Sequence, residues 1–119
     1  MPKATSNQMV SRRMGDVHLI EFTVSHLIDQ AVIQVIGVQI EQLVVQSGRP
    51  KLIIDFSGLQ SVSSAMVGVI ISINKKVQSM KGELRLAAVG PSIMEVFELT
   101  HLDKILKIYR NFDQAMHRF

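Results

Sequence analysis

Residues 51–56, Lys-Leu-Ile-Ile-Asp-Phe, constrain the fold more than any other stretch. Leu52, Ile53 and Ile54 follow one another without a polar residue between them, and Pro50 and Ser57-Gly58 bound the run. A strand with only one covered face alternates apolar and polar residues; a continuous apolar run of this length reads as a strand buried on both faces. The segments on either side change period. From Ser25 to Gln46, residues Ile28, Val32, Val35, Ile36, Ile40 and Leu43 recur at helical spacing, and Gly48 and Pro50 end that helix. From Ser64 onward, Met66, Ile70, Ile73, Val77 and Met80 mark one face of a second helix, with Gly82 as its stop. A strand between two helices is the repeating unit of a parallel sheet with helical cover.

The rest of the chain extends this pattern. Met9–Met14 and Val17–Phe22 read as two strands joined by a turn at Gly15-Asp16. Leu84–Val89 reads as a strand, and Gly90-Pro91-Ser92 opens a short helix with Pro91 in its first turn. Ile105–Tyr109 is a last strand, after which Asn111 caps a C-terminal helix. The order β-β-α-β-α-β-α-β-α gives an α/β fold with a mostly parallel, mixed sheet of four to five strands. Residues 1–8 are polar and read as a flexible N-terminal tail, and residues 9–119 as a single domain.

Composition narrows the function. The net charge is only +3, the basic residues are scattered, and there are one Tyr, five Phe and no Trp. A base-stacking surface has little to work with, so direct nucleic-acid binding is not expected. The chain has no cysteine, which removes disulfides, thiolate catalysis and cysteine metal sites. No apolar run is long enough to span a bilayer, and the N-terminus lacks the apolar core of a signal peptide. A cytoplasmic location is expected.

The run LIIDFSGLQSVSSAMVGVI, residues 52–70, resembles the signature of the STAS domain shared by bacterial anti-sigma-factor antagonists and sulfate-transporter tails. Family members read as a hydrophobic strand, then D-x-S-G-apolar, then D-S-S-G-apolar-G. Asp55 to Leu59 match the first element, and Ser63 to Gly68 occupy the second. Ser63 stands where the family carries aspartate, and Ala65 and Met66 replace its second serine and glycine. GELRLAAVGPSIMEVFELTHLDKILKIY, including Leu99–Lys104, resembles the second half of the family. The resemblance implies a small α/β domain with helices mainly on one side of the sheet. It implies a non-catalytic regulatory protein, an anti-sigma-factor antagonist that binds an anti-sigma factor with serine kinase activity. The phosphorylated serine falls at Ser64, with Ser63 as rival. The partner-binding set is Asp55, Ser57, Gly58, Ser63, Ser64, Met66 and Val67. An alternative is a structural STAS subunit of a stress-sensing scaffold or lipid-transport complex.

The residues themselves leave some choices open. Ser63 or Ser64 serves as a plain N-cap or as a modified residue. Asp55 accepts backbone hydrogen bonds in the loop after its strand, or faces a partner. Gly58 permits the turn and Gly68 permits close helix packing. The first helix also carries Ile33, Val38 and Val45 off its main stripe. They cover the sheet, or part of them meets a partner, as in a homodimer or larger assembly. The histidines at 18, 26, 101 and 117 have no paired-ligand spacing, and no nucleophile motif appears, so no enzyme activity, metal or cofactor is expected.

Overall fold

A computed structural model of the chain describes residues 8–119. The tail expected at residues 1–8 lies outside the described residues except for Gln8, whose carbonyl accepts the Thr23 N–H at 3.0 Å. Strands β1 (Met9–Met14) and β2 (Val17–Phe22) form an antiparallel hairpin that closes with Met14 opposite Val17. β2 pairs in parallel with β4 (Lys51–Asp55), β4 with β6 (Glu83–Ala87), and β6 with β7 (Lys107–Tyr109). The five-stranded order is therefore β1-β2-β4-β6-β7. Each parallel step is bridged by a helix: α1 (Gln30–Gln46), α2 (Ser64–Ser79) and α3 (Pro91–Leu99).

The side-chain period of two explains the continuous apolar run. Leu52 and Ile54 point with Ile20, Phe22, Leu84 and Leu86 into the main core beneath α1, α2 and α3. Phe56 sits edge-on between Phe22 and Phe97 and ties strand to helix. Ile53 points the other way, with Val17, Leu19 and Ala87, towards Ala115 of α4 (Phe112–Met116). Three helices thus cover one face and a short fourth covers the other. Asn111 caps α4 by accepting the Gln114 N–H at 2.9 Å.

Several local expectations are corrected. The first helix begins at Gln30, not Ser25, because Asp29 accepts the Ala31 and Val32 N–H groups and fixes its start. Ser25 is instead a bend, and His26–Leu27 (β3) pairs in parallel with Ser61–Val62 (β5), a small two-stranded sheet. The buried stripe of α1 is Ile33, Ile36, Ile40 and Val44, so Ile33 belongs to the core while Ile28 is 60% exposed. α2 does not stop on Gly82. Lys81 takes the left-handed turn at φ 60, and Gly82 is needed for space: a Cβ there would lie 2.0 Å from the Pro50 carbonyl oxygen. Gly68 mediates no close helix packing, since nothing lies within 4 Å of where its Cβ would be. The last strand is shorter than expected, and Ile105 is exposed before it.

Arg85, in the middle of β6, is buried on the α4 face. It pairs with Glu83, donates to the carbonyls of Ala115 (2.8 Å) and His117 (2.9 Å), and lies over the Phe119 ring. One side chain thereby anchors the C-terminal helix to the sheet. Among the described residues no helix is long and apolar enough to cross a membrane.

Candidate functional site at the carboxyl edge of the sheet

The parallel strands end on one edge, and the loops that leave them start α2 and α3. Asp55 closes β4. Its carboxylate is mostly buried and accepts the Ser57 N–H at 2.8 Å, so it holds the loop from within. The turn then closes with Leu59 N–H donating to the Phe56 carbonyl at 2.9 Å. Gly58 sits inside it at φ 84, a conformation that carries a Cβ penalty for any other residue. Ser57 and Gly58 are both exposed.

Ser63 and Ser64 follow from β5. The Ser63 N–H donates to the Leu27 carbonyl at 3.0 Å, so β3 fixes the entry of α2. Ser63 holds the N-cap position with extended backbone, yet its hydroxyl makes no cap bond and is buried without a partner. Ser64 is the first helical residue and is exposed. Neither serine is therefore a side-chain cap, in contrast to Asp29 on α1. No acidic residue occupies the first turn of α2. The same holds for α3, whose N-cap is Gly90 and whose start lies beside the Leu59 carbonyl. Two helix N-termini with their positive dipole ends uncompensated by side chains thus meet at one edge.

Met66 and Val67 do not belong to this surface. Met66 is 0% and Val67 9% exposed, because both sit on the α2 face that packs on the sheet. Their expected place in the partner-binding set is corrected: they hold the helix that presents Ser64. Of the residues singled out in the sequence, Ser57, Gly58 and Ser64 are exposed on this edge, while Ser63 is half-buried and Asp55 buried.

Sequence reasoning missed one pair. His26 Nδ1 lies 2.6 Å from the Ser61 hydroxyl, at the start of the same loop. The residues are 35 apart in sequence and meet only through the β3–β5 pairing. Asp29, a capping residue just ahead of an apolar periodic segment, was the available signal that Ser25–Leu27 is not helical.

The displaced titrations lie at the opposite end of the sheet. Burial pulls the His18 imidazole below its ordinary value, helped by the nearby Arg13 charge. Burial alone would raise the Glu83 carboxyl, but hydrogen bonds from Arg85 and Lys107 outweigh it and hold it low. A hydrogen bond from Lys51 lowers Asp16. Among the described residues no cluster of three or more His, Asp or Glu side chains could hold a metal ion.

The STAS domain family model matches residues 10–115. The chain belongs to the STAS family. A candidate anti-sigma factor antagonist of Thermotoga maritima is 35% identical over 69 residues, a match spanning 58% of this chain and 61% of that protein. This STAS domain also shares its fold with solved structures. An anti-sigma-factor antagonist (STAS) domain protein from Planctomyces limnophilus superposes at TM-score 0.81 with 21% identity, covering 90% of this chain and 93% of that one. The Bacillus cell fate determinant SpoIIAA in its phosphorylated form gives 0.74 at 17% identity, covering 92% and 97%. Unphosphorylated SpoIIAA gives 0.73 at 16% identity, covering 92% and 96%.

Proposed function

We propose that this STAS domain is an anti-sigma-factor antagonist, and that its carboxyl edge docks on an anti-sigma factor that is also a serine kinase. Phosphorylation of Ser64 then releases it. The observation that carries this reading is the placement of Ser64: exposed, in the first turn of a helix with no side-chain cap and no acidic neighbour in that turn. A phosphate there meets free N–H groups and the positive end of the helix dipole, so its two negative charges are tolerated by the fold. The same charges change the surface offered to a partner. SpoIIAA keeps this fold both with and without its phosphate, which fits a switch that acts on docking rather than on folding. Ser63 is the rival acceptor, but its buried hydroxyl requires local opening before a kinase reaches it. The domain acts in the cytoplasm as a binding module without catalysis of its own.

The test combines mass spectrometry with binding. Incubation with the partner kinase and ATP places phosphate on Ser64. Ser64→Asp keeps the thermal transition and loses at least tenfold in partner affinity. Ser64→Ala keeps both, since its hydroxyl caps nothing. If neither serine is modified and Ser64→Asp binds normally, the switch is refuted, and a structural role in a larger assembly takes its place.

A further inference from the structure

We propose that the edge where the parallel strands begin holds an anion pocket for a phosphate monoester, at the opposite end of the sheet from Ser64. Basic residues that are scattered along the sequence are gathered here by the fold. Arg49 follows α1, Lys51 opens β4, Lys81 follows α2, Arg85 lies in β6 and Arg118 follows α4, and all five line one cavity of about 280 Å³. Among the described residues Glu83 is the one acid in its wall. Two of the five cations are already committed. Arg85 is buried and bound to Glu83 and to the carbonyls of Ala115 and His117. Lys51 is held by Asp16 and by the Phe119 carbonyl oxygen. Glu83 is shared between Arg85 and Lys107, which leaves none of its charge for the others. Arg49, Lys81 and Arg118 are exposed, and among the described residues none of them forms an ion pair.

The main chain positions these three cations and leaves their charged ends free. Arg49 Nε donates to the Lys81 carbonyl at 3.2 Å, and the Arg118 carbonyl accepts from Arg85 Nη2 at 3.4 Å. Lys81 and Arg118 both take left-handed backbone, at φ 60 and φ 57, a conformation uncommon for a residue with a long side chain. Like charges set around one concave wall raise the local potential and draw in an anion. The donors say which one. Two guanidinium forks and an ammonium offer the planar and point-charge contacts that phosphate oxygens accept. A phosphate monoester carries nearly two negative charges, so it offsets the three cations better than a single carboxylate does. Size narrows the choice further. At about 280 Å³ the cavity falls below the roughly 300–1,000 Å³ of pockets that enclose a drug-sized ligand, so it takes the phosphate end of a small ester. A free phosphorylated metabolite and the headgroup of phosphatidic acid share this chemistry. The pocket does not involve Ser57–Ser64, so its occupancy is independent of the docking edge.

Calorimetric titration with glycerol phosphate, and co-sedimentation with phosphatidylcholine vesicles with and without phosphatidic acid, test the pocket and separate the two sources. Saturable binding of glycerol phosphate assigns a free ester; binding confined to the vesicles that contain phosphatidic acid assigns the lipid headgroup. In either case Lys81→Gln and Arg118→Gln each weaken binding about tenfold or more, with an unchanged thermal transition. Lys75→Gln and Lys104→Gln remove the same charge outside the cavity and leave binding unchanged. The proposal is overturned when neither probe binds, or when succinate, a dicarboxylate, binds as tightly as glycerol phosphate. It is equally overturned when the substitutions outside the cavity weaken binding as much as those within it, since the probes then report only the overall charge.

Discussion

Alanine at Gly82 and at Gly68 should move stability in opposite directions. Gly82 does not occupy the left-handed region, so removing its backbone freedom would ordinarily stabilise the fold by about 0.4–1 kcal/mol. Here the new Cβ would sit 2.0 Å from the Pro50 carbonyl oxygen and 2.7 Å from its Cγ. Comfortable contact begins near 3.5 Å. The chain entering β4 must therefore move away from the chain entering β6. That displacement strains the hydrogen bond from Glu83 N–H to the same carbonyl, now 2.9 Å. Overpacking costs about 1–3 kcal/mol and a damaged hydrogen bond about 0.5–1.5 kcal/mol. After the entropic gain is subtracted, Gly82→Ala should lose about 0.5–4 kcal/mol. Gly68 lies exposed in the middle of α2 with nothing within 4 Å. Gly68→Ala should gain about 0.8–1 kcal/mol from helix propensity alone. Urea unfolding followed by circular dichroism reads both, provided the slope m stays constant. A neutral or stabilised Gly82→Ala would refute the close approach of Pro50 as the reason for that glycine.

Arg85→Met should cost about 1–3 kcal/mol, because it leaves the carbonyls of Ala115 and His117 without their donor, while half-buried Glu83 keeps its Lys107 pair; hydrogen exchange should show Phe112–Met116 opening first, and full protection there would contradict the anchor. His18 has its folded pKa below the unfolded value of 6.5, so the unfolded chain binds more protons in that window. Stability should therefore fall as pH drops through 6.5, and His18→Asn should flatten that part of the curve. Glu83 is held below 4.5 in the fold, so its contribution is present above 4.5 and is lost only as pH falls further, through its folded value. Glu83→Gln should remove that acid-limb loss in a denaturation series, and an unchanged limb would show that the Arg85 and Lys107 pairs do not act as described.

The sequence by itself determined the layers of this protein. Leu52-Ile53-Ile54 required cover on both faces of a central strand, and period changes on either side required helices beside it. The D-x-S-G element at Asp55–Gly58 carried the family, because a buried acceptor and a left-handed glycine are local demands that local residues must meet. Tertiary structure decided everything that depends on who approaches whom. Ser25–Leu27 continues a plausible helical period, yet His26–Leu27 becomes a strand because Ser61 and Val62 offer it a partner. Ile33 rather than Ile28 enters the core because Asp29 sets where the helix starts. Gly82 looked like a helix stop and is instead the place where two strand entries nearly touch, a distance no spacing along one chain encodes. Arg85 reads as an ordinary charge in a strand until α4 folds back and supplies carbonyls and a ring for it. In the candidate site the positions of Ser63 and Ser64 were legible, but their roles were not. Capping, burial and exposure at a helix start depend on the neighbouring strand that fixes its entry, and β3 is brought there only by the fold.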